Sequence, residues 1–292
     1  DFEVTIAPFR DAPWSRCAEF DLVFNLEMAQ PNGRTVKAVR NVPLVGSWNA
    51  DSRRRTELWA PVTGQVDFLI CNNEDAWEAR GRALRTCCIS NGVDTEIWRS
   101  TVPIEERPHR VIWAGSSNPR KGKGYLEVLK PLEARLNELG FETDFRPIND
   151  VNEHTTKTTD EMVAWYNRAS YVLCASLSEG TPGIISGGVA CGCVAISCPV
   201  GNIREWGIDG ENCVLVGRDV DAFVAGIETA RARRAALSEA GRTTLHEQWS
   251  YGPPANRAQY YFALFRRLIR GEPVSPFSYR TSDWRTDRKS VV

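Results

Sequence analysis

A chain of 292 residues with a formal net charge of −1 is long enough for two domains with cores of their own, and its neutral balance argues against nucleic acid as the main partner. With 42% hydrophobic and 25% charged residues, and no apolar run near the ~20 residues of a membrane span, it reads as ordinary globular protein without a transmembrane or signal-peptide pattern. Nine cysteines, mostly in apolar stretches, are expected as reduced core residues in a cytoplasmic protein.

The chain opens at Asp1, inside what reads as a strand over 3–7, so residues upstream of Asp1 are expected. Short apolar strands follow at 21–25, 42–46 and 66–71. The last runs into Asn72-Asn73-Glu74-Asp75, a helix start in which Asn caps the first amides and the acids suit the positive end. A helix over 76–84 and a strand over 86–90 complete a first, Rossmann-like domain, 1–104. Residues 101–109, with two prolines and no periodicity, read as a linker.

A second domain, 105–254, begins with a strand over 110–114 and a polar turn over 115–123. A helix over 124–139 follows, with a break expected at Pro131 and a stop at Gly140. A strand over 142–146, a polar loop over 147–159 and a helix over 160–169 lead to the stretch on which the chain is organised. That stretch, 174–199, is a strand, a polar turn, a short small-residue helix over 184–192 and a return strand over 193–197: one β–loop–α–β unit of a parallel sheet. Its loop puts Glu179 at the carboxyl end of a strand and just before a helix N-terminus, where open α/β sheets bind ligands and helix amides attract phosphate. A polar loop over 200–209, a strand over 212–216 and helices over 219–230 and 231–247 close the domain. A final region, 255–292, holds a helix over 255–270 with Tyr261, Leu264, Phe265, Leu268 and Ile269 on one stripe, then a polar tail expected along the surface.

Four segments resemble retaining glycosyltransferases of the GT-B fold, in the large family 4-like group also described as glycosyl transferases group 1. Asn91-Gly92-Val93-Asp94 is similar to the turn that ends the family's first domain. Gly115–Gly122, GSSNPRKG, looks like its glycine–loop–Arg/Lys–Gly segment. Trp165–Pro182, WYNRASYVLCASLSEGTP, resembles its helix, strand and acidic donor loop. Residues 191–216 look like its small-residue return and closing strand.

The resemblance implies an α/β fold of two Rossmann-like domains with parallel sheets facing across a cleft, and a C-terminal helix returning to the first domain. It implies transfer of a sugar from a nucleotide diphosphate sugar, with retention, to a glycan, lipid-linked or small-molecule acceptor, without a cofactor or a metal. Glu179, Lys121 and Arg120 are then the candidate catalytic residues. Gly115, Ser116, Ser178, Gly180, Thr181, Pro182, Gly183, Ile184, Ser186 and Gly187 are the candidate donor-binding residues. Cations and helix amides there would stabilise charge on the leaving diphosphate.

The chain departs from the family pattern. Eight positions after Glu179, where a second glutamate would hold the ribose, stands Gly187, with Ser186 or the amide of Gly188 as substitutes. Ser116 occupies the place of an arginine. His109, His154 and His246 are the only histidines, and none lies in the first domain's strands. Gly187 and Gly188 inside a helix imply a close approach of backbone or ligand. Asn91 and Gly92 serve either the turn or the substrate. Trp48 could stack on a sugar, Arg53, Arg54 and Arg55 could meet an anionic acceptor, and His154 lies where relatives contact the base. Cys191-Gly-Cys193 with Cys198 lacks both the spacing and the histidine of a zinc site. The departures leave two other readings: a non-catalytic or weakened relative acting as a nucleotide- or sugar-binding subunit, and an epimerase or phosphorylase on the same fold.

Overall fold

The structure, a computed structural model, describes residues 3–4, 19–25, 43–48, 66–78, 85–148 and 157–278. The expected strand over 3–7, the end of the helix over 76–84, Arg53, Arg54, Arg55 and His154 lie wholly or largely outside the described residues, as does the side chain of Trp48.

In chain order the first elements are β1 (Val23–Asn25), β2 (Leu44–Trp48), β3 (Phe68–Cys71), α1 (Glu74–Glu78) and β4 (Thr86–Cys88). Next come β5 (Arg110–Ser116), α2 (Lys130–Glu138), β6 (Glu142–Ile148), α3 (Thr159–Asn167) and β7 (Tyr171–Cys174). The chain continues through α4 (Gly183–Ala190), β8 (Val194–Ser197), α5 (Ile203–Trp206) and β9 (Val214–Leu215). It closes with α6 (Val220–Ala232), α7 (Arg234–Thr244), α8 (Ala258–Ile269) and β10 (Phe277–Ser278). The chain divides into two compact units, Asp1–Ile89 with Tyr260–Val292, and Ser90–Gln259.

The first unit holds a parallel sheet in the order β1-β2-β3-β4-β10. Asn73 Oδ1 accepts from Ala76 N at 2.7 Å, the cap expected of the Asn-Asn-Glu-Asp start. On one face of the sheet Val45, Phe68, Ile70, Cys87 and Ile89 bury Leu264 of α8, with Tyr261, Phe265 and Leu268 half-buried around it. The apolar stripe of α8 therefore packs on the first unit, as its spacing required. The polar tail departs from expectation. Phe277 and Ser278 pair in parallel with Cys87 and Cys88, so the segment expected along the surface adds a strand to the sheet edge. An edge strand offers its free amides and carbonyls to any chain that returns alongside, whatever that chain's hydropathy.

The second unit holds the sheet β6-β5-β7-β8-β9, again wholly parallel. From β5 the chain moves outward to β6, then returns to pair β7 on the other side of β5. The order reverses between β5 and β7, which makes their carboxyl ends the switch point where such sheets hold ligands. The core is built from Val111, Trp113, Leu129, Leu132, Leu136, Tyr171, Leu173, Ile196, Phe223 and Ile227, all buried.

Local chemistry explains where elements depart from expectation. The helix expected over 124–139 is a π turn, Tyr125–Leu129, followed by α2 with Pro131 in its first turn. Proline has no amide to donate, and the wider turn brings it to the helix start, where none is needed. Gly140 ends α2 at φ 80°, with Phe141 N donating to Leu136 O at 3.0 Å. Thr158 and Glu161 form a capping box that starts α3 at Thr159. The strand expected over 212–216 shrinks to Val214–Leu215 because Asn212 is spent as a staple: its Oδ1 accepts from Ile208 N at 2.7 Å and its Nδ2 donates to Trp206 O at 2.9 Å. The loop over 200–209 contains the unforeseen helix α5. The helix expected over 231–247 is α7 followed by a π turn, Leu245–Trp249.

All eight cysteines among the described residues are free and buried. No helix among the described residues is long and apolar enough to cross a membrane.

Candidate functional site

Two loops leave the switch point of the second unit. After β5, Asn118 turns the chain by accepting from Arg120 N at 3.0 Å, and a single 3-10 turn, Pro119–Lys121, follows. Ser116 Oγ accepts from Asn118 N at 3.3 Å and is part of this turn. Gly122 and Gly124 then take left-handed conformations, φ 65° and 79°. At Gly124 the reason is space as well as φ: an added Cβ would overlap the carbonyl oxygen of Ala175. After β7, Leu177 N donates to Gly122 O at 2.8 Å, which ties the second loop to the first.

That tie brings Lys123 to Glu179. Lys123 Nζ stands 2.5 Å from Glu179 Oε1, and Ser176 Oγ donates to the same oxygen at 2.6 Å. Both bonds fall on Oε1, so among the described residues Oε2 remains an open acceptor. The side chains are 32% and 14% exposed, so the pair borders solvent without being immersed in it. Burial, with the Glu179 charge as a second cause, pushes the Cys174 thiol above its usual range. Cys174 is therefore an inert neighbour.

Arg120 and Lys121, the cations singled out in the sequence, lie exposed on the 3-10 turn with no ion-pair partner among the described residues. Lys123 is the cation that reaches Glu179. The sequence held a hint in Lys121-Gly122-Lys123-Gly124, two lysines each followed by glycine, but which of them points inward depends on the two left-handed residues.

The acidic loop ends at α4. Pro182 O accepts from Ile185 N at 2.9 Å and Ser186 N at 3.2 Å, which leaves the amides of Gly183 and Ile184 outside the helical ladder. Nothing lies within 4 Å of a Cβ built on Gly183, so the helix begins in open space. Thr181 Oγ1 is buried just before it, without a hydrogen-bond partner among the described residues. Ser178 is half-buried, and Gly180 O accepts from Asn202 N at 3.0 Å. Gly201, at φ 56°, lets that neighbouring loop approach, since an added Cβ would stand 2.5 Å from Gly180 O. Neither Gly201 nor Asn202 was foreseen.

The two interior glycines of α4, Gly187 and Gly188, do meet close neighbours, and in both cases these are side chains. A Cβ on Gly188 would stand 2.9 Å from Val172 Cγ1 of β7, and one on Gly187 would stand 3.2 Å from Tyr166 Cε2 and 3.5 Å from Trp98 Cε3. Trp98 and Tyr166 meet edge to face at 5.8 Å. The aromatic pair thus borders the place a side chain at 187 would enter. Gly115 likewise crowds Trp113, whose ring would lie 2.8 Å from an added Cβ. Asn91 and Gly92 belong to a packed turn: Asn91 O accepts from Asn202 Nδ2 at 3.2 Å, and a Cβ on Gly92 would stand 2.5 Å from Trp249 O. Val93 N donates to that same Trp249 O at 2.9 Å.

A parallel α/β sheet thus carries a cation, a carboxylate and unladdered helix amides at its switch point, and this geometry can be set beside known proteins. Residues 104–232 match the family described as glycosyl transferases group 1. The fold is GT-B. Sucrose-phosphate synthase from Thermosynechococcus elongatus is similar at a TM-score of 0.64 and 16% identity, over 87% of this chain and 75% of that one. HepE of Anabaena in complex with UDP is similar at 0.64 and 15%, over 86% and 80%. The pneumococcal O-GlcNAc transferase GtfA in complex with UDP and GlcNAc is similar at 0.62 and 14%, over 88% of this chain and 59% of that one. At such identities the likeness establishes the fold. No curated protein sequence matches the chain. The glycosyl transferases group 1 match ends within α6 and includes both loops of the site.

Proposed function

We propose that the chain transfers a sugar from a nucleotide diphosphate sugar to an acceptor, with retention at the anomeric carbon and without a metal. The observation that carries this reading is the Lys123–Glu179 pair, set at the switch point beside the unladdered amides of Gly183 and Ile184. The family match over 104–232 and the UDP complexes formed by HepE and GtfA support a nucleotide donor.

The chemistry follows from charge. As the bond between sugar and diphosphate breaks, its electron pair goes to the diphosphate oxygen. Lys123, with the amides of Gly183 and Ile184, would meet the growing negative charge in a partly dehydrated site, where fixed donors act most strongly. Arg120 and Lys121, exposed on the adjoining turn, would add to the local positive field. Glu179, through its open Oε2, would accept from sugar hydroxyls or balance positive charge on the ring. Ser178, Gly180, Thr181 and Pro182 shape the loop, and the buried Thr181 hydroxyl lacks a partner that a bound donor could supply. Gly115 and Ser116 serve the turn geometry, and Ser186 and Gly187 belong to the packed side of α4.

The weakened or non-catalytic reading has one observation in its favour: Gly187 is fitted against Tyr166 and Trp98, so a side chain at the position of the family's second glutamate would have to displace Tyr166 slightly.

A thermal-shift panel with UDP, GDP, ADP, TDP and CMP separates the two. A nucleotide at 100 times its Kd stabilises by about 2.7 kcal/mol. One nucleotide should raise Tm by several degrees, Lys123→Met should abolish the shift, and the matching nucleotide sugar should then be turned over, with the product's anomeric configuration read by NMR. A shift without turnover would favour the binding-subunit reading. No shift from any nucleotide would defeat donor binding altogether.

A further inference from the structure

The charged pair is assembled from two loops, and one side chain outside both of them holds the segments together. Arg218 leaves the carboxyl end of β9, immediately before Asp219, which caps α6 by accepting from Ala222 N at 2.8 Å. Its Nε donates to Ala175 O at 2.9 Å, and its Nη2 lies 3.6 Å from Glu127 Oε2. Ala175 immediately precedes Ser176, whose hydroxyl holds Glu179. Glu127 lies in the π turn that starts just after Lys123-Gly124. Ala175 O is also the atom against which Gly124 is packed. One guanidinium therefore touches the chain that carries Lys123 and the chain that carries Glu179, within four residues of each.

We infer that Arg218 is a positioning residue that sets the Lys123–Glu179 pair. Among the described residues the guanidinium contacts Ala175 and Glu127 and makes no ion pair with Glu179, so it acts on the pair through the two segments. The arginine side chain is 23% exposed, and its Nη2 is buried without a hydrogen-bond partner, so Glu127 compensates its charge across 3.6 Å rather than through a bond. A fully bonded structural arginine would fill that donor. This one keeps a slack contact on the Lys123 side and a tight one on the Glu179 side, as fits a brace between two loops with different freedom. Lysine cannot fully replace it, since its three donors sit on one nitrogen and lack the planar fork that spans both contacts.

The inference rests on the site assigned above, and its test keeps the two apart. A double-mutant cycle of Lys123→Met and Glu179→Gln, read by urea unfolding, measures the coupling between the two side chains. The same cycle is repeated on an Arg218→Met background, which keeps most of the stem's packing while removing the charge. The coupling is expected to fall to less than half, whereas a general loss of stability would shift all four corners of the cycle equally. Coupling unchanged by Arg218→Met, or no coupling in the native chain, overturns the inference. If Arg218→Met does not fold, Glu127→Gln and Arg218→Lys take its place, and each should lower the coupling in part; unchanged coupling in both is equally decisive against it. In parallel, UDP titration should show Kd rising at least threefold in the Arg218 variant. A native chain that ignores UDP would count against the donor assignment, while the cycle would still decide the role of Arg218.

Discussion

Two cations in the second unit, Arg107 and Lys123, occupy opposite regimes. Arg107 is 4% exposed and saturated. Its Nε donates to Val102 O at 3.0 Å, its Nη1 to Tyr166 O and Ala169 O, and its Nη2 to Ser100 Oγ, Asn167 Oδ1 and Cys191 O. All of these acceptors are neutral. Burial lowers its pKa from the usual arginine range, with the Cys193 and Cys191 thiols opposing. Lys123 has one partner among the described residues, a carboxylate, and keeps a third of its side chain in water. The saturated cation closes the segment over 100–107, inside the second unit, onto α3 and α4. The unsaturated one has donors left for a ligand. Charge alone does not distinguish a structural cation from a functional one; the count of satisfied donors does.

The comparison breaks first at Arg107. Arg107→Ala should destabilise the chain by about 3–5 kcal/mol in chemical denaturation, because several buried carbonyls lose their donor at once. A loss under about 1 kcal/mol would remove the contrast, since it would put Arg107 in the range of an exposed pair. Next comes the helix that presents the free amides. Gly188→Ala should cost about 1–3 kcal/mol by overpacking Val172. Gly183→Ala, with open space around it, should cost less than about 0.5 kcal/mol. Equal effects at the two positions would contradict the close seat of α4 on β7.

Lys123→Met should change stability by less than about 1 kcal/mol, the range of a partly exposed ion pair, while abolishing the nucleotide-induced rise in Tm. A large stability loss would make Lys123 a second Arg107. The smallest expected effect sharpens the contrast at a third charged group. Burial would raise the Asp144 pKa, but hydrogen bonds from Arg146 and from Trp165 Nε1, at 2.6 Å, outweigh it and hold the carboxyl below its usual range. A carboxylate with a lowered folded pKa contributes stability that is present above its unfolded pKa of about 4 and is lost as pH falls through the folded value. Asp144 is 33% exposed, so solvent screening reduces the contribution to a fraction of ~1 kcal/mol. Asp144→Asn should therefore flatten the loss of stability below about pH 4 and leave neutral-pH behaviour nearly unchanged, as pH-dependent melting would show.

Much of the architecture was legible in advance, and for local reasons. The burial of β7 and β8 follows from unbroken apolar runs. The stops at Gly140 and the cap at Asn73 follow from backbone and side-chain chemistry within four residues. The apolar stripe of α8 required a partner, and its period showed which side chains would meet it. The place of Glu179 in a loop was readable because the apolar strand before it and the small-residue helix after it bound that loop on both sides. The returning strand Phe277–Ser278 was not readable, because its place depends on a sheet edge far away in sequence.

Sequence by itself determined most of the order of strands and helices, α5 and β10 apart, the parallel sheet and the loop that carries the carboxylate, because each rests on hydropathy period and caps acting over one or two turns. Tertiary structure alone decided that Lys123 rather than Lys121 meets Glu179, that Gly187 faces Tyr166 and Trp98, and that Arg218 reaches both loops. Those outcomes depend on the left-handed backbone at Gly122 and Gly124 and on contacts between residues tens of positions apart, which no local pattern encodes.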